Sequence, residues 1–253
     1  MDYVLPPLVA LFVWWFGTGV VMLLDGLPRS RQSATMAAAT GLALLALAGV
    51  VSSAQHTGPS AAYLGFVCAV GVWAWHELSL LTGWLTGPRR TACSVPAHAP
   101  TRFREAVQAI LWHELAIIAT GVLIVALTWN APNPVAAWTF ALLWVMRLSA
   151  KLNLFLGVRN LGQEFLPPHL LYLGSYFRRA RMNALLPLSL LAGSAVAAGL
   201  LQAAAAAGAD ARTALLLVAS LLVLALVEHL LMVLPLPPTL LWRWALRTQG
   251  LPP

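Results

Sequence analysis

The sequence predicts an all-α, polytopic membrane protein, a bundle of about seven transmembrane helices with its N-terminus periplasmic and its C-terminus cytoplasmic. Three observations carry this. First, of the 253 residues 60% are hydrophobic and only 9% charged, with mean hydropathy +0.80; a soluble domain carries roughly 25% charged residues, so lipid must cover much of this surface. Second, several stretches reach the roughly 20 apolar residues that cross a bilayer. Third, the basic residues alternate from one linker to the next, as the positive-inside rule requires.

The expected spans are 3–24, 35–55, 60–84, 106–129, 135–157, 184–207 and 212–234, within one transmembrane helical domain over residues 1–253. Pro6 and Pro7 fall in the first turns of the first span, where a missing N–H costs little. Met1-Asp2-Tyr3 lacks the basic segment of a signal peptide, so the first span is expected to stay as a helix. The first linker holds Arg29 and Arg31, and the third (85–105) holds Arg89, Arg90, Arg102 and Arg104. The fifth linker (158–183) holds Arg159, Arg178, Arg179 and Arg181, and the tail Arg243 and Arg247. The second and fourth linkers hold none, and the sixth only Arg212 at its edge. These assign the odd linkers and the C-terminus to the cytoplasm. The prolines at 235, 237 and 238 are expected to end the last helix.

The net charge of +7 comes from arginine, Lys151 being the only lysine. On a membrane protein it is an orientation signal rather than a nucleic-acid signal. Cys68 in a span and Cys93 in a loop make no disulfide framework and no zinc-type pair. Trp14, Trp15, Trp84, Trp129, Trp138, Trp242 and Trp244 sit near span ends as an aromatic belt. Trp75 and Trp112 lie deeper, as space filling or flanking a flat ligand, and His56 and His98 are loop residues without a role.

The informative residues are the ionisable ones inside spans, which are costly in lipid and turn to a bundle interior or a wet cavity. Three histidine–glutamate pairs, His76-Glu77, His113-Glu114 and Glu228-His229, occupy the third, fourth and seventh spans. The fifth carries Arg147, Lys151 and Asn153. Counted from the expected span ends, Glu77, Glu114, Glu228 and Lys151 all lie roughly 9–12 Å inside the cytoplasmic boundary, so four helices place polar groups in one layer. Imidazole and carboxylate suit iron, manganese or zinc. Helical bundles space such ligands as Glu-x-x-His on one face, whereas adjacent residues here point about 100° apart, which leaves at most three or four ligands. The competing readings are an internal salt-bridge cluster of the glutamates with Arg147 and Lys151, and a contact to a tetrapyrrole. The fifth linker adds Arg159, Asn160, Gln163, Glu164 and His169 just below the layer, either as a lid or as an interfacial connector. There is no dinucleotide fingerprint, phosphate loop, zinc-protease helix or nucleophile elbow. Nor do polar residues continue across the membrane as an ion pathway would need.

Residues 75–90 (WHELSLLTGWLTGPRR), 102–117 (RFREAVQAILWHELAI) and 151–177 (KLNLFLGVRNLGQEFLPPHLLYLGSYF) resemble the PuhE family, photosynthetic complex assembly proteins of purple phototrophic bacteria. With its seven spans the resemblance covers essentially the whole chain. It implies a protein of a photosynthesis gene cluster in the bacterial inner (cytoplasmic or intracytoplasmic photosynthetic) membrane, tied to reaction-centre assembly and bacteriochlorophyll supply. It carries no catalytic residues onto this chain. The expected partners are membrane lipid and reaction-centre or pigment-biosynthesis proteins, with no nucleic acid. Two functions follow as expectations. One is an assembly factor that holds bacteriochlorophyll or a precursor at the layer, with a histidine on its magnesium. The other is a membrane metalloenzyme with iron, manganese or zinc acting on a lipophilic tetrapyrrole. A transporter is the third and weakest class, since no repeats or broken helices mark it.

Overall fold

The computed structural model describes residues 2–94 and 99–234. His98 and the tail with Pro235, Pro237, Pro238, Trp242, Trp244, Arg243 and Arg247 lie outside the described residues. Within them the chain is helical, with seven helices long and apolar enough to cross a membrane. They are α1 (Leu5–Asp25), α2 (Arg29–Ala54), α3 (Pro59–Leu81), α4 (Ala99–Leu127), α5 (Val135–Leu156), α6 (Leu185–Ala206) and α7 (Ala209–Leu231). Each expected span coincides with one helix, and the differences are at the ends. Helix α2 begins at Arg29 and α4 at Ala99, six and seven residues earlier than the spans. Hydropathy marks only what sits in hydrocarbon, whereas the helix continues into the interfacial zone, carrying Arg31, Arg102 and Arg104 with it.

Local signals place the ends. Pro59 opens α3 behind Gly58, which takes φ +106. The same helix stops at Thr82, whose hydroxyl donates to the Leu78 carbonyl at 2.7 Å, and Gly83 then turns the chain at φ +77. Asn183 closes α5 onto α6: its amide nitrogen donates to the Gly157 carbonyl (3.0 Å), and its Oδ1 accepts the Leu185 and Leu186 N–H groups (2.8 and 3.2 Å). Asn133 does the same service between α4 and α5, donating from its side chain to Ser53 and from its backbone to Ala54 at the end of α2.

Helix α3 is the axis of the bundle and touches α1, α2, α4, α5 and α7. Phe66, Ala69, Val72 and Trp73 are its buried face, with Trp73 edge-on to Phe140 of α5 at 5.6 Å. Val50 of α2 and Ile117 and Ile124 of α4 complete that core. A second core joins Ala10 of α1, Phe66, Val135 and Leu217 and Leu221 of α7. Helix α6 rests chiefly on α7, with a smaller contact to α5, and leaves Leu188 and Leu191 outward, as a lipid-facing helix does.

The connections on the arginine-rich side are built rather than loose. Residues 84–90 lie directly on α4: the Thr86 carbonyl accepts the His113 backbone N–H at 2.9 Å. A Cβ at Gly87 would stand 2.0 Å from the Gln108 carbonyl oxygen, so only glycine fits this approach. The segment between α5 and α6 forms 3-10 turns over Gln163–Phe165 and Pro168–Tyr176. Leu170, Leu173 and Tyr176 pack on Ala109 of α4. It is therefore an anchored connector.

Candidate functional site

Adjacent residues on a helix diverge by about 100°, and the three His-Glu pairs resolve this in the same way. The histidines take the bundle interior: His76, His113 and His229 are 0%, 0% and 1% exposed. The glutamates take the neighbouring, more open face. Helix α5 meets them there, because Arg147 and Lys151 stand one turn apart on one side of it. Arg147 Nη2 lies 2.7 Å from Glu77 Oε2 of α3, and Lys151 Nζ lies 2.5 Å from Glu114 Oε1 of α4. Glu228 of α7 accepts the indole N–H of Trp14 of α1 at 2.9 Å, and Arg147 is a nearby positive charge. Three carboxyl groups from three helices thus face two cations on a fourth.

The equal depth expected from sequence rested on span ends that the structure moves. Glu77 is four residues from the end of α3 and Glu228 three from the end of α7. Glu77 and Glu114 are joined to α5 by ion pairs, and Glu228 to α1 through Trp14.

The histidines play different parts. The two ring nitrogens of His229 bond to Ser149 Oγ (2.9 Å) and the Ala225 carbonyl (2.8 Å). Ser149 in turn donates to Ser189 of α6 at 3.0 Å. Asn153 is buried and tied to Ser149 and to Asn183. His76 Nε2 bonds Thr120 of α4 at 3.1 Å, and its ring lies 6.4 Å from that of His113. Both ring nitrogens of His113 are buried without a hydrogen-bond partner among the described residues.

This geometry fits neither metal reading. Among the described residues no three of His, Cys, Asp and Glu come together as a metal-holding group, because the glutamates turn to Arg147 and Lys151 and His229 to Ser149. Axial ligation of a bacteriochlorophyll magnesium does not fit either. A macrocycle needs an imidazole presented at a surface, and these three are enclosed. Trp75 donates to Thr40 Oγ1 at 2.9 Å, and Trp112 is 49% exposed on the outside of α4. The two do not flank a common slot at the layer.

The linker candidates disperse. Asn160 fastens the end of α7 through the Leu231 carbonyl (2.7 Å), and Gln163 donates to Gly174 (3.2 Å). Arg159 and Glu164 are exposed. His169 sits beside Gly83, where a Cβ would approach its ring to 3.1 Å. Burial holds its imidazole below the ordinary range, the Leu81 carbonyl opposing and Arg29 adding to the effect.

A second ionic group escaped the sequence reading. Glu105 accepts from Ser94 Oγ (2.6 Å) and the Ser94 N–H (2.9 Å) and pairs with Arg89 at 3.2 Å. Arg89 also donates to the Tyr176 hydroxyl at 2.8 Å. The cluster stitches three separated segments at the arginine-rich side. Only its spacing inside the charged linker marked it, and such spacing is common on solvated surfaces. Trp14 was likewise hidden: expected in the span-end belt, it lies in the middle of α1.

A family model described as "Protein of unknown function (DUF3623)" matches residues 1–251. A Rhodobacter capsulatus protein described as "Uncharacterized 30.4 kDa protein in puhA 5'region" is 39% identical over 244 residues, covering 94% of this chain and 89% of the relative. No solved structure matches.

Proposed function

The chain belongs to the DUF3623 family, and from that premise we propose that it is a photosynthetic complex assembly or bacteriochlorophyll supply factor of the PuhE type in the bacterial inner membrane. The photosynthesis link is drawn from the relative, which is named for its position beside puhA. In this reading the N-terminus is periplasmic and the arginine-rich side cytoplasmic.

The observation that supports a binding role is the openness of the ionic layer. The Arg147 side chain is 43% exposed although it belongs to a membrane-spanning helix, and Glu228 beside it is exposed too. Charges left facing hydrocarbon are expensive. A partner presenting polar or charged groups within the membrane satisfies them. The proposed partner is a reaction-centre or pigment-biosynthesis subunit docking across α5, α7 and α1, with Arg147, Glu77 and Glu228 as the recognition groups. Pigment reaches the complex through that partner, since the enclosed histidines offer no ligand to it.

The test is a clean deletion in a phototrophic host, complemented with wild type, Arg147→Gln or Glu228→Gln. Near-infrared absorbance of the photosynthetic complexes in isolated membranes is expected to fall on deletion. It should return with wild type and not with either variant at equal protein level. Normal complexes and pigments in the deletion strain overturn the proposal.

A further inference from the structure

At the arginine-rich side, away from the ionic layer, three elements line an open-sided cavity of about 310 Å³. Helix α2 supplies Arg29 and Gln32, the turn after α3 supplies Thr86 and Arg90, and the 3-10 segment supplies His169 and Tyr172. None of these residues belongs to the ionic layer.

Three features of the cavity point to a guest. Its cations are uncompensated: the three ion pairs among the described residues leave out Arg29 and Arg90. Its deep polar atoms are unpaired: Thr86 is 1% exposed, and its Oγ1, the Tyr172 hydroxyl and His169 Nε2 are all buried without a partner. The Thr86 and Tyr172 hydroxyls interact with each other, too loosely for a well-formed hydrogen bond. Buried polar atoms are ordinarily satisfied, and three at one wall mark a place built for hydrogen bonding to something else. The N-terminus of α2 adds its positive dipole end at the same place.

The chemistry selects the guest. Two guanidinium groups bind a phosphate through charge-assisted hydrogen bonds, and the two hydroxyls supply further donors. His169 Nε2 and the Gln32 amide oxygen add acceptors, which a bare phosphate dianion does not need but a hydroxylated ester does. The volume lies at the lower end of small-molecule sites and holds more than one phosphate group. The position, beside the ends of α2 and α3, is where headgroups meet the protein. We propose that this cavity binds the phosphoglycerol headgroup of an acidic phospholipid. Its phosphate lies between Arg29 and Arg90, with Thr86 and Tyr172 donating to its oxygens and its glycerol hydroxyls turned to His169 and Gln32.

Native mass spectrometry of the full chain, released from neutral detergent micelles containing equal amounts of phosphatidylglycerol and phosphatidylcholine, tests this. Selective retention of phosphatidylglycerol is expected. Arg29→Gln with Arg90→Gln should weaken it roughly thirtyfold, and Tyr172→Phe, which removes a donor without changing charge, should weaken it severalfold. Arg31→Gln, outside the cavity, should not. Equal retention of the two lipids, or unchanged retention in the double variant, overturns the proposal. If the double variant does not fold, unchanged retention in Tyr172→Phe overturns it instead. Displacement of the lipid by inorganic phosphate or glycerol phosphate at comparable concentration would assign the cavity to a soluble phosphate and likewise overturn the lipid site.

Discussion

Lys151 Nζ stands 2.5 Å from Glu114 Oε1, with both side chains 18% exposed. The pair joins α5 to α4 inside the membrane-spanning region, one helical turn from the more open Arg147–Glu77 pair. Removing one partner of an enclosed ion pair leaves the other uncompensated, at a cost of about 3–5 kcal/mol, whereas replacing both with apolar residues is often near neutral. Partial exposure trims this.

Lys151→Met and Glu114→Leu are each expected to destabilise the protein by about 2–3 kcal/mol, and the double variant by clearly less than their sum. Reversible unfolding in mixed micelles, run as a double-mutant cycle, measures the coupling. Strict additivity would mean that the pair contributes nothing to helix association.

The buried imidazoles separate into two kinds. His113→Leu deletes two buried polar atoms that have no partner among the described residues, so stability is expected to hold within about 1 kcal/mol or to rise. His229→Leu strands Ser149 and the Ala225 carbonyl and is expected to cost about 1–3 kcal/mol. Thermal unfolding of the two purified variants distinguishes them. An equally large loss for His113→Leu would show a bound partner at that ring.

Gly87→Ala places a methyl group 2.0 Å from the Gln108 carbonyl and 2.6 Å from the Ala109 carbonyl carbon. Both are backbone atoms and do not rotate away. The 84–90 turn must leave α4, and a loss above about 3 kcal/mol is expected. Gly41→Ala, with nothing within 4 Å, should be neutral or slightly stabilising because it lies in a helix. Comparing the two melting transitions checks the claim.

Cys93 lies outside the spanning helices, and burial, reinforced by the Glu105 carboxylate, pushes its thiol above the ordinary range. The thiolate is the reactive form. A raised value therefore moves the midpoint of alkylation upward in pH and makes Cys93 slow at neutral pH. Glu105→Gln removes the negative charge and should bring the midpoint down. Iodoacetamide labelling across pH, read by peptide mass, reports it. An ordinary midpoint in the native protein would contradict the geometry around Ser94 and Glu105.

Much of the molecule was legible because membrane chemistry is written in composition. Seven apolar stretches became α1 to α7, since a continuous apolar segment of about 20 residues in lipid satisfies its backbone within itself as a helix. The residues of the ionic layer were legible for the same reason: Glu77, Glu114, Arg147, Lys151 and Glu228 stand out against hydrocarbon wherever they point. The early starts of α2 and α4 were not legible, because helix and span are different things once the chain enters the interface.

What the sequence by itself determined is therefore the inventory: how many helices, which carry charge, and that those charges must find one another. Tertiary structure alone decided the pairing. Adjacent residues share a helix but not a direction, so nothing in His-Glu says which member turns inward. Packing around α3 settled that the histidines do, that Arg147 takes Glu77 and Lys151 takes Glu114, and that Trp14 answers Glu228. It also gathered Arg29, Arg90, Thr86 and Tyr172, distant in sequence, around one cavity. Contacts of that range depend on helix crossings, which many sequences of this composition could arrange differently.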